Sequence, residues 1–301
     1  MTVRGLAGEL FARRQNPLPG IVVPPVGRTK PDVRTPDTRV ASHRPASLSD
    51  VRVFAIANQK GGVGKTTTAV NLAAAVAAAG YNTLIVDIDP QTNATVGLGQ
   101  PRDLSPSVYD VLCGDCSAEE AVHPTTVDCL WLMPAGRGLV GASVELPTVA
   151  GSERLLHDAL APLRERFALI LIDCPPSLGP LTVNALVAAD RVIVPVQTEY
   201  YALEGLAQVL DTIDLIQREL NPRLTVAGMV LTMHDNRTRL GRDVERDVRE
   251  HFPGLVFDTV IPRNIRISEA PSFGVPVTLH DPFCVGSDAY VALAREVAAV
   301  G

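Results

Sequence analysis

The sequence predicts a doubly wound α/β fold, in which helices cover both faces of a mostly parallel β-sheet. Three observations predict it: short apolar runs typical of buried parallel strands recur along the chain, longer helical segments separate them, and a glycine-rich loop joins the first run to the first helix. Repeated strand and helix units form one sheet with crossover helices on both sides. The ligand site of such a sheet is expected at the carboxyl ends of its strands.

The apolar runs and the helical segments between them define a domain over residues 51–301. Strands are predicted at residues 51–58, 82–89, 130–135, 168–173, 191–197, 224–233 and 257–262. Helices are predicted at residues 65–79, 152–166, 180–189, 202–220, 240–251 and 287–299.

Residues 1–50 have a different composition, with seven prolines and eight basic residues against four acidic ones. They show no hydrophobic periodicity after about Arg14, which predicts a flexible, disordered N-terminal tail. We expect this tail to bind a partner or to add weak electrostatic affinity for DNA.

The whole-chain composition is that of a globular protein, with 46% hydrophobic and 20% charged residues in 301. The chain has neither an apolar run of the roughly 18 residues that span a bilayer nor a secretory signal, which predicts a cytoplasmic protein. The net charge of −6 argues against a general polyanion binder, but it allows a local basic face.

Lysine and cysteine are both sparse. The basic residues are 24 arginines and three lysines, and Lys60 and Lys65 lie in one glycine-rich loop. Five cysteines in a chain without an export signal argue against a disulfide framework. The string Cys113, Cys116, His123 and Cys129 leaves a zinc site open, although its spacing is short for zinc ribbons and fingers.

The first predicted strand runs directly into a phosphate-binding loop, and the first helix follows at once. The loop's glycines allow successive backbone N–H groups to point into one concavity that favours phosphate. Lys65 is expected to meet the β and γ phosphates of ATP, and the Thr66 hydroxyl is expected to ligate Mg²⁺. Strand, loop and helix together predict the P-loop NTPase fold. The predicted cofactor-binding residues of the loop are Lys60, Gly61, Gly62, Val63, Gly64, Lys65, Thr66 and Thr67.

Two further strands end in carboxylates beside this loop. Asp87 and Asp89 end the second strand, and because they lie two residues apart they point the same way. Asp173 ends the strand at 168–173 in the Walker B arrangement and is expected to hold Mg²⁺ through water or through Thr66. Cys174, in the proline-rich turn after it, is predicted to be a small buried residue.

The octapeptide KGGVGKTT resembles the deviant Walker A loop of the ParA/MinD ATPases. That loop begins with a second lysine, the signature lysine. By this resemblance Lys60 contacts the ATP of a partner subunit across a sandwich dimer, where a cation stabilises charge as the γ-phosphoryl group leaves. Asp89 is then the residue that orients the attacking water, and Asp87 supports it. The resemblance thus implies Lys60, Lys65 and Asp89 as catalytic residues.

Segments QTEYYALEGL, LTMHDNRTRLG and IPRNIRISEAPSFGVPV resemble the ParA or Soj partition ATPases, so the resemblance covers about residues 51–301. It places Pro262 and Asn264 at the nucleotide-base end of the site. It also places Arg237 and Arg266 where that group contacts DNA.

A run of arginines near residues 240–251 has two open interpretations. Arg239, Arg242, Arg246 and Arg249 recur at helical spacing and could meet DNA phosphates. Interleaved acidic residues could instead pair with them on a solvated helix face. The run contains no signal for recognition of DNA bases, so any DNA contacts are expected to involve the phosphate backbone and to weaken with salt.

The resemblance implies an ATP-driven partition ATPase with ATP and Mg²⁺ as cofactors. It implies a homodimer that forms on ATP binding, binds DNA non-specifically on the nucleoid, and hydrolyses ATP when a ParB-type centromere-binding protein stimulates it. A chromosome and a plasmid both remain open as cargo. The alternatives are a membrane-cycling ATPase similar to MinD and a metal-cluster carrier. The C-terminal segment SDAYVALAREVAAVG argues against stable membrane insertion, because its only basic residue is Arg295.

Overall fold

The structure is a computed structural model that describes residues 52–199 and 202–300. The predicted tail, residues 1–50, lies outside the described residues. Within the described residues the chain forms an eight-stranded sheet in the order β3-β4-β2-β5-β1-β6-β7-β8. Its strands are β1 Arg52–Ile56, β2 Thr83–Asp87, β3 His123–Pro124, β4 Leu130–Met133, β5 Leu169–Asp173, β6 Arg191–Gln197, β7 Thr225–His234 and β8 Val256–Pro262.

All neighbouring strands are parallel except β3, which pairs with β4 in the antiparallel direction. The mostly parallel sheet is therefore confirmed. The helices are α1 Lys65–Ala78, α2 Asn93–Gly97, α3 Val108–Cys113, α4 Leu139–Glu145, α5 Leu155–Leu160, α6 Pro180–Ala188, α7 Ala202–Glu219, α8 Arg239–His251, α9 Ile265–Glu269, α10 Val277–His280 and α11 Val285–Ala299.

Central strand β1 shows why both faces of the sheet are covered. Val53 and Ala55 point into one buried apolar cluster, and Phe54 and Ile56 point into the other. Successive strand residues face opposite sides, so an uninterrupted apolar strand needs helices on both. Helices α1 and α11 cover one face, and α5 to α8 contribute to the other cluster.

One predicted helix was wrong in its extent. Residues 152–166 form α5 flanked by two 3-10 turns, at Ser152–Arg154 and Ala161–Glu165. Pro162 lies at the start of the second turn and lacks the N–H that would continue the helical hydrogen bonding. None of the described helices is both long and apolar enough to cross a membrane.

Candidate functional site

A cleft of about 720 Å³ lies at the carboxyl ends of the strands. Its walls come from the loop after β1, from Asp89 after β2, from Thr232 and Met233 at the end of β7, and from residues 261–264 around the end of β8. The cleft lies at the edge of the sheet where parallel α/β folds bind their ligands. Its volume falls in the usual range for small-molecule sites.

The phosphate loop wraps the amino terminus of α1. Gly62 and Gly64 have φ values of +75° and +88°, a left-handed conformation that favours glycine. Apart from each glycine's own chain neighbours, no described atom lies within 4 Å of the position a Cβ would take at Gly61 or Gly62, so the space beside these residues is open. This is the geometry in which backbone N–H groups and a helix terminus receive phosphate.

Lys65 is held inside this loop with only 6% of its surface exposed. Its Nζ donates to the carbonyl oxygen of Lys60 at 3.2 Å. Burial lowers the pKa of Lys65, while the nearby carboxylate of Asp173 favours the charged form. A buried ammonium whose hydrogen-bond acceptor is a neutral carbonyl is well placed to meet an anionic ligand.

Thr232 is a positioning residue that the sequence reasoning missed. Its buried hydroxyl donates to the carbonyl of Val63 at 2.8 Å, and its side chain lies 3.8 Å from the ideal Cβ position of Gly64. The hydrogen bond connects residues 169 positions apart, so β7 fixes the loop from outside its motif. The only sequence signal is the position of Thr232 within the segment LTMHDNRTRLG.

Asp173 ends β5 and is fully buried. Neither of its carboxylate oxygens accepts a hydrogen bond of good geometry from a described residue, although the Thr66 hydroxyl lies close enough to favour the charged form. Burial raises the pKa of Asp173 well above its usual value, Asp87 adds to the rise, and Thr66 and Lys65 oppose it. A buried carboxylate beside the Thr66 hydroxyl suits a hard divalent cation such as Mg²⁺, which prefers oxygen ligands.

Asp87 at the end of β2 and Asp89 just after it are both buried, but they differ in their contacts. Asp87 is fully buried, and its Oδ2 accepts from the Thr95 backbone N–H at 2.8 Å and from the Thr95 hydroxyl at 2.7 Å. Burial raises the pKa of Asp87, and these bonds oppose the rise. Asp89 lines the cleft, and its Oδ1 accepts from the Gln91 N–H at 2.9 Å.

Lys60 lies at the start of the loop with 35% of its side chain exposed. Its Nζ is 3.4 Å from Oε2 of Glu199, which lies beyond the end of β6. Glu199 is a second contact that the sequence reasoning missed, although it belongs to the quoted segment QTEYYALEGL. In this structure Lys60 is therefore paired with a carboxylate of its own chain.

Pro262 and Asn264, predicted to lie at the base end, line the same cleft as the phosphate loop. Asn264 also begins α9, since its Oδ1 accepts from the Arg266 N–H at 2.8 Å. The structure thus brings together residues that are about 200 positions apart in the sequence.

Comparison with known proteins agrees with this geometry. Residues 51–226 match the family model described as an AAA domain. The chromosome partitioning protein ParA of Caulobacter vibrioides is 52% identical over 83% of this chain and 95% of its own length. The sporulation initiation inhibitor protein Soj of Bacillus subtilis is 51% identical over 83% of this chain and 99% of its own. The chain belongs to the ParA/Soj family of chromosome-partitioning ATPases.

A solved structure supports the fold of this ParA/Soj member. The cobyrinic acid a,c-diamide synthase of Mycobacterium smegmatis, solved with a bound ATP analogue and magnesium, has a TM-score of 0.74 and 41% identity over 81% of this chain and 93% of that one. Family membership confirms both the P-loop NTPase fold and the predicted enzyme class, an ATPase.

The two arginines predicted to contact DNA lie outside the cleft lining and are paired within the chain. Arg237 forms a fork with Asp235, through Nε to Oδ1 at 2.8 Å and Nη2 to Oδ2 at 2.7 Å. This pairing lowers the pKa of Asp235. Arg266 contacts Glu269 at 2.9 Å and Asp281 at 3.3 Å.

The arginine run on α8 forms the ion pairs that one of its two interpretations predicts. Arg246 approaches Asp243 at 3.1 Å, and Arg249 approaches Glu245 at the same distance. Arg239 also pairs with Asp243, while Arg242 donates to the carbonyl of Asn236. The stripe is therefore a solvated face on which three of the four guanidiniums have acidic neighbours.

The cysteine string does not form a metal-ligand group among the described residues. His123 Nε2 instead lies 2.8 Å from the carbonyl oxygen of Pro106, and Cys113 is exposed. Cys174 is fully buried, which confirms the prediction of a small buried residue.

Proposed function

We propose that this partition ATPase binds ATP with Mg²⁺, closes as a homodimer, binds DNA non-specifically and hydrolyses ATP when a ParB-type protein stimulates it. The observation that carries the proposal is the cleft, which gathers the open loop, Lys65, Thr66, Asp89 and the base-end residues in one place. The buried carboxylate of Asp173 lies behind this lining, close to Thr66 and Lys65. The proposal places the protein in the cytoplasm, on the nucleoid.

The loop and the end of β5 hold the two cofactors. Backbone N–H groups of the loop and the ammonium of Lys65 bind the phosphates, and Thr66 and Asp173 hold Mg²⁺, directly or through water. Bound Mg²⁺ supplies positive charge that offsets the charge on the phosphate oxygens. The base end lies against Pro262 and Asn264.

Hydrolysis depends on Asp89 and Lys60. The N–H of Gln91 fixes Oδ1 of Asp89, while no described residue donates to Oδ2, which can orient the attacking water. Lys60 leaves Glu199 and stabilises charge on the ATP of the partner subunit. The exposed ion pair costs little to break, since such pairs contribute about 0–1 kcal/mol.

The packing of α11 supports the partition function over a membrane-cycling one. Tyr290, Leu293 and Val297 of this helix are buried in the cluster that α1 also joins. An apolar face already used in the core is not available to lie in a lipid interface.

Co-sedimentation with DNA tests the proposal. Wild type and Arg266→Ala should be compared with ATP, with ADP and without nucleotide, at two salt concentrations. We expect wild type to sediment with DNA only with ATP and mainly at low salt, and Arg266→Ala to sediment less. Failure of wild type to bind DNA with ATP at low salt would overturn the DNA part of the proposal.

A further inference from the structure

The turn formed by residues 89–92 leads from β2 into α2 and carries Asp89 into the nucleotide cleft. Asp89 is buried, whereas Gln91, two residues later, is exposed. The backbone N–H of Gln91 donates to Oδ1 of Asp89 at 2.9 Å. The direction of the buried carboxylate therefore depends on an exposed residue, and that residue must itself be held in place.

Thr92 adopts an unfavourable backbone conformation in this turn. Its φ of +59° and ψ of +28° lie in the left-handed region, which residues with a Cβ rarely adopt. Its N–H donates to the carbonyl of Asp89 at 2.8 Å, and its own carbonyl accepts from the Val96 N–H at 3.0 Å. A conformation of this kind persists only where the surrounding contacts hold it firmly.

Arg102 supplies side-chain contacts that hold the turn. Its Nη1 donates to the carbonyl oxygen of Gln91 and to the hydroxyl of Thr92, each at 2.9 Å. A guanidinium Nη carries two hydrogens, so one nitrogen can make both bonds. Gln91 is thereby fixed on both sides, since its N–H binds Asp89 and its carbonyl binds Arg102.

The short helix α2 is fixed from the buried side as well. The carboxylate of Asp87 accepts from the backbone N–H and from the hydroxyl of Thr95, which lies in α2. A helix of five residues is too short to be stable by itself. Asp87 thus holds α2 from inside the sheet, while Arg102, from the segment after α2, holds the turn before it from the solvent side.

The contacts of Arg102 are directional and not ionic, because a carbonyl and a hydroxyl are neutral acceptors. Its neighbour Asp103 pairs with a different arginine, Arg137, at 3.5 Å. Among the described residues, Arg102 is not part of the cleft lining. It therefore reaches the site through the turn.

We propose that Arg102 is a positioning residue for ATP hydrolysis. It holds Gln91 and Thr92, and through the Gln91 N–H it fixes the carboxylate of Asp89 in the direction in which that group orients the attacking water. The inference rests on the proposed role of Asp89 and adds the residue that keeps Asp89 in place. Because Arg102 acts on the turn, it affects the rate of hydrolysis and leaves nucleotide binding unchanged.

Single-turnover hydrolysis by the full chain, with saturating ATP and Mg²⁺ at two salt concentrations, tests the inference. The variants are Arg102→Ala, Arg102→Lys and Arg137→Ala, with Asp89→Ala as the reference for loss of the carboxylate. Arg137→Ala is the matched control, since Arg137 is exposed and binds the residue next to Arg102 but not the turn. Binding of a fluorescent ATP analogue, the mass in the presence of ATP and thermal unfolding are measured for each variant.

We expect Arg102→Ala to lower the rate of hydrolysis by about 10- to 100-fold, as a displacement of about 1 Å at a catalytic group can do. ATP binding and the mass with ATP should stay as in wild type. Arg102→Lys keeps a donor and should recover part of the rate, and Arg137→Ala should match wild type. The loss should be equal at both salt concentrations, because the acceptors are neutral.

Three results would overturn the inference. A wild-type rate in folded Arg102→Ala, while Asp89→Ala is inactive, contradicts the inference and leaves the proposed function intact. An equal loss in Arg137→Ala would assign the effect to the charge of the segment. Weaker ATP binding or a lower mass with ATP in Arg102→Ala would show that the turn shapes the nucleotide site or the dimer. If Asp89→Ala hydrolyses ATP at the wild-type rate, the proposed role of Asp89 fails first.

Discussion

The charged groups of the phosphate loop are buried, whereas those of the arginine-rich face after β7 and β8 are exposed and form ion pairs. At the loop, Lys65 and Asp173 are buried, and the oxygens of Asp173 accept no hydrogen bond of good geometry from the described residues. On the arginine face, 84% of the Arg237 side chain is exposed, yet the group is held by Asp235. The buried charges of the loop are thus placed to meet the phosphates and the cation of a ligand. On the arginine face, by contrast, Arg237 must leave the carboxylate of Asp235 before it can bind another anion.

This difference separates two kinds of binding. Buried charges interact strongly with a ligand because water screens them little. Exposed pairs are worth little and weaken with salt. We therefore expect changes at the loop to have large effects that salt hardly alters, and changes on the arginine face to have small effects that salt removes.

The largest effect is expected for Lys65→Ala. Removal of the buried ammonium of the loop should lower ATP turnover by about 100- to 1,000-fold, the usual loss when a fixed donor to developing charge is removed. Lys65→Arg should fail as well, because the planar guanidinium is too large for a site that leaves 6% of Lys65 exposed. Steady-state turnover measures both, and near-normal turnover in Lys65→Ala would contradict the role.

Asp173→Asn should raise the free energy of unfolding, whereas Asp87→Asn should lower it. Asp173→Asn removes a buried carboxylate whose charged form is disfavoured by burial and by Asp87, and it should raise the free energy of unfolding by about 1 kcal/mol, while Mg²⁺-dependent ATP binding weakens about 10- to 100-fold. Asp87→Asn disturbs the bonds from Thr95 and should cost about 1–3 kcal/mol.

Urea unfolding without nucleotide, with Mg²⁺ titrations of ATP binding, measures this pair. Destabilisation by Asp173→Asn equal to that by Asp87→Asn would show that Asp173 stabilises the fold and is not reserved for a bound cation.

Thr232→Val should have an intermediate effect. The variant keeps the shape of the side chain and removes the donor to Val63, which leaves a buried carbonyl unpaired at a cost of about 1–3 kcal/mol. Because the loop is then less fixed, we expect weaker ATP binding and lower kcat. Thr232→Ser keeps the hydroxyl and is the matched control, so equal losses in both variants would point to packing and not to the hydrogen bond.

The smallest effect is expected for Asp235→Asn. It frees Arg237 from its fork and should strengthen DNA binding with ATP by a factor of about two to five at low salt, the range of an exposed ion pair. Asp214→Asn is the control, because it frees Arg218 from a similar pair on α7. Weaker DNA binding in Asp235→Asn would mean that the carboxylate positions Arg237 for phosphate.

The sequence predicted the sheet well because buried parallel strands leave a plain apolar signal. The run that became β5, Leu169–Asp173, is buried at every position. Strand β3 was not predicted, since a two-residue antiparallel edge at His123–Pro124 has no period to detect. Helices as short as α2, with five residues, have the same difficulty.

Within the site, the residues that form one contiguous motif were predicted, and those that act across the fold were not. Lys60 to Thr67 follow each other along the chain, so their pattern is visible. Thr232 and Glu199 reach the loop from β7 and from beyond β6, and only the sheet order brings them there. The ion pairs of the arginine run on α8 were one of two interpretations that the sequence left open, because helical spacing permits these local pairs as well as DNA contacts.

Sedimentation of Asp89→Ala with ATP tests the central claim most directly. If ATP binds at the loop first and DNA then binds at the arginine face, this variant should bind ATP without hydrolysing it and form a dimer of twice the mass. The dimer should sediment together with added duplex DNA. With ADP the variant should remain a monomer free of DNA, and adding Lys60→Ala should abolish the doubling. A monomer with ATP, or turnover at the wild-type rate, would contradict the account.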